Sequence, residues 1–134
     1  APRVNYTFFT SELTSLFLIN TSNYEIVCYI DGIVFGISKL IQNRMKLANY
    51  ENNNFGWCID RMFASFALSM NKLLIVDKSI NVNHPKTRGY ESKEAKNQGN
   101  SFLEQLSTSE KIYDKLTQSY INYNYLHKLN KKSN

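Results

Sequence analysis

The chain has 134 residues, 43% hydrophobic and 20% charged, with a formal net charge of +5 at pH 7. That length suits one domain with a real core, and this balance of apolar and charged residues is ordinary for a globular protein and does not demand disorder. No apolar run approaches the roughly 18 residues a membrane-spanning helix needs, and no charged N-terminal stretch leads into a long apolar one, so neither a transmembrane segment nor a signal peptide is expected.

The positive charge points to acidic partners: a diphosphate, nucleic acid or an anionic membrane surface. It is spread along the chain, however, and its densest cluster is Lys128, Lys131 and Lys132. That cluster reads as a solvated tail, with a membrane or nucleic-acid contact as its functional alternative. Lys and Arg do not interleave with aromatics, so no nucleic-acid partner is expected. Cys28 and Cys58 sit in apolar settings without metal-like spacing. They read as buried free thiols in a reducing cytoplasm. The sequons at Asn5 and Asn20 are the chance product of an Asn-rich chain.

In chain order, residues 5–10 mix aromatic and β-branched side chains and read as a short strand. Residues 14–19 form an apolar run too short for periodicity to assign. Residues 24–30 are dense in β-branched and aromatic residues on both faces, which predicts a central strand. Asp31-Gly32 is a turn pair, and 33–37 would be the next strand. Ser38 looks like an N-cap, with Leu40, Ile41, Met45 and Leu47 following on one helical face. Residues 48–54 form a polar loop. Ile59, Phe63, Phe66, Ala67 and Met70 share a helical face, with Asp60 favouring the helix start. Residues 73–76 predict a buried strand, Asp77-Lys78 a turn, and 80–83 a second strand ending at His84-Pro85. A helix interrupted near Gly99 is expected over 91–106. A stronger one is expected over 109–129, with Ile112, Leu116, Tyr120, Tyr123 and Leu126 on its apolar stripe. The order is α/β or α+β, with helices gathered at the end.

Two segments carry candidate chemistry. In Phe55-Gly56-Trp57-Cys58-Ile59-Asp60, Gly56 permits a sharp backbone turn, and the only Trp stands in a polar loop beside a carboxylate. A flat ring stacks on the apolar face of a sugar, while a carboxylate accepts from hydroxyls or removes a hydroxyl proton. A capping Asp beside a packed Trp is the structural alternative. His84 ends a strand and is held by the proline after it, where open α/β sheets place ligand groups. It would bind a metal or phosphate, carry a proton, or serve structure alone.

The order Gly56-Trp57-Cys58-Ile59-Asp60, amphipathic helix, apolar strand, Val76-Asp77, then Val82-Asn83-His84-Pro85 resembles the second half of bacterial GT-A-fold glycosyltransferases similar to family 2. Tyr29-Ile30-Asp31-Gly32 and Val34-Phe35-Gly36-Ile37 look like the strand pair before that motif, and Gly89-Tyr90 with Glu94-Ala95 like its continuation. The resemblance covers about residues 25–106. Cys58 stands where the motif commonly has a second glycine. No Asp-x-Asp occurs in the chain, and the Rossmann-like nucleotide-binding half is missing.

The resemblance implies an α/β fold: a partial GT-A-like mixed sheet with flanking helices, an acceptor-side segment over 1–107 and a C-terminal helix with a basic tail over 108–134. It implies a sugar transferred from a nucleotide-sugar to a glycan or lipid-linked acceptor in polysaccharide biosynthesis, with inversion. Asp60 would be the catalytic base, with Trp57, Gly56 and Asp31 shaping the acceptor site. A divalent ion, Mn or Mg, would be held near His84. A homo-oligomer covering an exposed sheet edge, and a cytoplasmic location with or without membrane association, complete these expectations. The alternative is a non-catalytic interaction or binding module derived from such a fold.

Overall fold

The computed structural model describes residues 3–10, 23–30, 35–83 and 89–132, with side-chain surroundings for these except 3–10 and 124–132. The expectations for 14–19, for Asp31-Gly32 and for His84-Pro85 lie outside the described residues. The described chain is mixed α/β. Its strands are β1 (Arg3–Thr10), β2 (Tyr24–Val27) and β3 (Leu73–Asn83). Its helices are α1 (Lys39–Met45), α2 (Ile59–Ser69), α3 (Ser92–Leu103) and α4 (Thr108–Lys132).

The strands form one sheet in the order β1-β3-β2, antiparallel at both pairings. This order corrects two expectations. Among the described residues, 24–30 do not make a central strand: β2 ends at Val27 and lies at the edge of the three-stranded sheet, with Tyr24 and Ile26 each 41% exposed. The register explains the early end. Val27 pairs with Leu74, one residue from the start of β3, so the chain runs out of partner and turns Ile30 into the core instead.

The second correction concerns β3, one continuous strand where two were expected. Asp77-Lys78 does break the ladder, because pairing jumps from Val4↔Val82 to Tyr6↔Asp77 and leaves extra residues on β3. Such a bulge absorbs residues without ending a strand. The buried Asp77 carboxylate closes it, accepting from the Ser79 amide at 2.9 Å and the Ser79 hydroxyl at 2.6 Å. Residues 35–37, expected as strand, have no strand pairing. Phe35 instead stacks on Phe63 with ring centroids 4.5 Å apart.

Helix α1 starts where the sequence predicts: the Ser38 hydroxyl accepts from the Ile41 amide. Ile41 is fully buried and Met45 packs on the core, while Leu40 and Leu47 face solvent at 49% and 79% exposure. Helix α2 is the centre of the molecule. Met62, Phe63, Ala64, Ser65, Phe66 and Ala67 are all fully buried, so the helix is enclosed around its whole middle rather than along one stripe. Its end is a Schellman closure. Asn71 takes the left-handed φ of 56°, its amide donates to the Leu68 carbonyl, and the Lys72 amide reaches the Ala67 carbonyl. Leu73 then enters the sheet.

Helix α3 runs through Gly99 without interruption. Helix α4 packs along α2, but not by the expected stripe: Ile112, Leu116 and Tyr123 are 64%, 48% and 66% exposed. Of that stripe Tyr120 packs against the core, and the Leu126 side chain lies outside the description. The inward face carries Glu110, Asp114 and Thr117 instead. Two ion pairs set this rotation. Arg44 of α1 holds both oxygens of Glu110, and Arg61 of α2 holds both oxygens of Asp114, at 2.8–3.0 Å. Among the described residues no helix is long and apolar enough to cross a membrane.

Candidate functional site

The loop ahead of α2 is bent by two left-handed residues, Gly56 at φ 67° and Cys58 at φ 64°. Glycine adopts this conformation freely; cysteine does so at a cost of about 1–2 kcal/mol. Surrounding contacts hold the strained turn in place. The Asn53 side-chain amide donates to the Trp57 carbonyl at 2.8 Å, and the Gly56 amide donates to the Asn53 carbonyl. From the other side Gly99 of α3 presses so close that an added Cβ would lie 2.9 Å from both Cys58 Sγ and Trp57 Cβ. The glycine expected to interrupt α3 is the residue that lets α3 seat against this loop.

The turn places Trp57 just ahead of the Cys58 cap and Asp60 in the first turn of α2. The Trp57 indole donates from Nε1 to the Tyr90 hydroxyl at 2.8 Å and meets that ring edge-on. Phe55 stacks on the other contact of Tyr90, with centroids 5.1 Å apart. Phe55, Trp57 and Tyr90 thus make a half-exposed aromatic group with two polar tips.

Asp60 is partly buried in the first turn of α2. The Tyr29 hydroxyl donates to its Oδ2 at 2.6 Å, and the Arg61 amide donates to its Oδ1 at 2.8 Å. The short bond from Tyr29 crosses 31 residues of sequence and joins the end of the β2 segment to the start of α2. It fixes the carboxylate's direction while leaving lone pairs on both oxygens. Arg61 turns its guanidinium away to Asp114, so Asp60 is not consumed in an ion pair with its neighbour.

No family model, curated protein or solved structure matches this chain. The geometry alone therefore carries the functional reading. Of the residues singled out from sequence, Asp60, Trp57 and Gly56 fall in one loop-to-helix junction. Asp31 and His84 lie outside the described residues. Among the described residues no group of three His, Cys, Asp or Glu could hold a metal ion.

Burial pushes the Cys58 thiol up from its ordinary range, against the opposing pull of Arg61. Burial alone raises Cys28. Both are protonated thiols at neutral pH, suited to packing rather than nucleophilic work. Tyr29 and Tyr90 are the site residues that sequence reasoning assigned no role. Their one signal was position, since Tyr29 falls in the stretch before the motif order and Tyr90 in the stretch that continues it after His84.

Proposed function

We propose that this chain is the acceptor side of an inverting, GT-A-like glycosyltransferase, with Asp60 as general base. The observation that carries the reading is the Tyr29–Asp60 hydrogen bond at 2.6 Å. It ties together two separate pieces of the motif order, and it aims a carboxylate beside an aromatic group of the kind that stacks on sugar rings. In the reaction, the acceptor hydroxyl oxygen attacks the anomeric carbon of a nucleotide-sugar. The hydroxyl proton passes to the Asp60 carboxylate, and the bond from the anomeric carbon to the diphosphate breaks with its electron pair leaving on the diphosphate. Tyr29 is a positioning residue, holding Asp60 in one rotamer. Trp57 and Tyr90 present ring surface to the acceptor, and the Tyr90 hydroxyl, which accepts from the Trp57 indole, is the polar tip of the pair. Gly56 shapes the turn that carries Trp57. The nucleotide-binding half of the reaction needs groups beyond these.

The test is thermal stability and transfer with UDP- and GDP-sugars, Mn²⁺ and a glycan acceptor. A rise in Tm with one donor and measurable transfer are expected. Asp60→Asn should keep the wild-type Tm yet lower kcat by roughly 10²–10⁴-fold, the usual contribution of a general base. Tyr29→Phe removes only the orienting bond, and a loss of about tenfold in kcat is expected, near 1.4 kcal/mol of barrier. A chain that gives neither a thermal shift nor transfer with any donor is a non-catalytic binding module, and the proposal falls.

A further inference from the structure

Helix α3 and the turn just after it meet the chain a second time, along the 49–54 loop, where two glutamine carboxamides make the hydrogen bonds. Gln105 accepts from the Asn49 amide at 2.7 Å and returns a bond to the Asn49 carbonyl at 3.0 Å. Two turns earlier, Gln98 accepts from the Asn54 amide at 3.0 Å. These two glutamines, Gln98 on α3 and Gln105 just past its end, clamp both ends of the loop. Between the clamps lies a groove of about 200 Å³. Ser101 and Phe102 line it from the helix and Asn49, Asn52 and Asn53 from the loop.

Four polar groups in that lining have no hydrogen bond among the described residues: the Asn52 carboxamide, the Asn49 side-chain NH₂, the Ser101 hydroxyl and the buried Asn53 Oδ1. Asn52 and Ser101 are exposed. Meanwhile the glutamines spend their own amides on the frame, so the groove is held open by groups other than those free to bind. No lining residue is charged, although the chain as a whole carries +5. A charged ligand would find no counter-ion here. A carboxamide offers a donor and an acceptor side by side, which matches adjacent hydroxyls, each itself donor and acceptor. Phe102 adds an apolar surface, with Tyr50 stacked on it at 5.2 Å. The volume falls below the roughly 300–1,000 Å³ of sites that take drug-sized ligands, and so fits a single small ring.

We propose that this groove binds one ring of an uncharged carbohydrate. The inference stands apart from the transfer chemistry at Asp60 and does not need it. The test is an NMR titration of ¹⁵N-labelled chain, following the Asn49 and Asn52 side-chain amides and the Ser101 backbone amide. Glucose, galactose and N-acetylglucosamine are the neutral probes; glucuronate and inorganic phosphate are the charged ones. At least one neutral sugar should move these resonances saturably, with a Kd of roughly millimolar order, as three or four exposed hydrogen bonds allow. The Asn52→Ala, Ser101→Ala double variant should keep its Tm, since neither side chain is engaged, and weaken binding by about tenfold or more. Asp60→Asn should bind like wild type, which separates this outcome from the fate of the transferase reading. The proposal is overturned if no neutral sugar moves these signals, if a charged probe moves them more, or if the double variant binds unchanged.

Discussion

Thr117 is wholly buried on α4, and its hydroxyl finds no hydrogen-bond partner among the described residues. A buried hydroxyl without a partner loses its water and gains nothing in return. Valine has nearly the same shape and no such group, so Thr117→Val should stabilise the fold by about 1 kcal/mol. Thermal unfolding should show this as a rise of roughly 3–5 °C in a domain of this size. A drop in Tm would mean that the hydroxyl is satisfied in solution. At this scale Asp60 was legible in advance, because a carboxylate entering a helix beside the only Trp is a visible pattern. Tyr29 was not. Its hydroxyl meets Asp60 only because the segment after β2 comes back against the start of α2, and nothing local to residues 24–30 distinguishes it from the other tyrosines.

Among the elements, α3 and the Trp57 loop form the tightest approach. Gly99→Ala would gain about 1 kcal/mol of helix propensity. It would also place a methyl 2.9 Å from Cys58 Sγ and Trp57 Cβ and 3.2 Å from the Trp57 carbonyl carbon. A thiol could rotate away; a Cβ and a backbone carbon cannot. Overpacking of this kind costs about 1–3 kcal/mol, so a net loss of stability is expected despite the better helix former. Because the strain falls on Trp57, its fluorescence should change with the substitution, and an unchanged spectrum with raised Tm would refute the close approach. Gly99 looked from sequence like a helix breaker because propensity was all that could be read. Its role comes from what lies opposite. The same limit misplaced the face of α4, where the apolar stripe through Ile112, Leu116 and Tyr123 is outweighed by two bidentate ion pairs on the other face.

Across the whole molecule, Glu110 is the point where three helices are tied. Its carboxylate accepts the Ser107 amide at 2.7 Å while Ser107 caps the Glu110 amide in return, a capping box at the start of α4. Arg44 of α1 grips both carboxylate oxygens, and the same guanidinium lies 4.2 Å over the Phe66 ring of α2. Burial works to raise the Glu110 pKa, but the hydrogen bonds from Arg44 and Ser107, with the Arg44 charge, outweigh it and hold the pKa below its ordinary value. A carboxyl depressed by folding contributes stability above the unfolded pKa of about 4.3 and loses it as pH falls through the lower folded value. Denaturant midpoints measured down a pH series should therefore drop in that acid window. Glu110→Gln keeps the capping geometry and loses the ion pair. It should cost about 1–2 kcal/mol at neutral pH and flatten this part of the acid dependence. An equally steep profile in the variant would show that other carboxylates set it.

Local chemistry was enough to place the mixed α/β class, the Ser38 cap, the start of α2 beside Asp60 and the approximate extents of α3 and α4. Each rests on neighbours a few residues apart, where periodicity, capping and dipole effects act. Strand order, the edge position of β2, the continuity of β3 and the inward face of α4 came from contacts between distant segments, where register and ion pairing outweigh propensity. The 48–54 stretch shows the division most clearly. As sequence it is a polar, Asn-rich loop. Folded against Gln98 and Gln105 it becomes the wall of a groove, because carboxamides can replace backbone partners only when another element brings them within bonding distance.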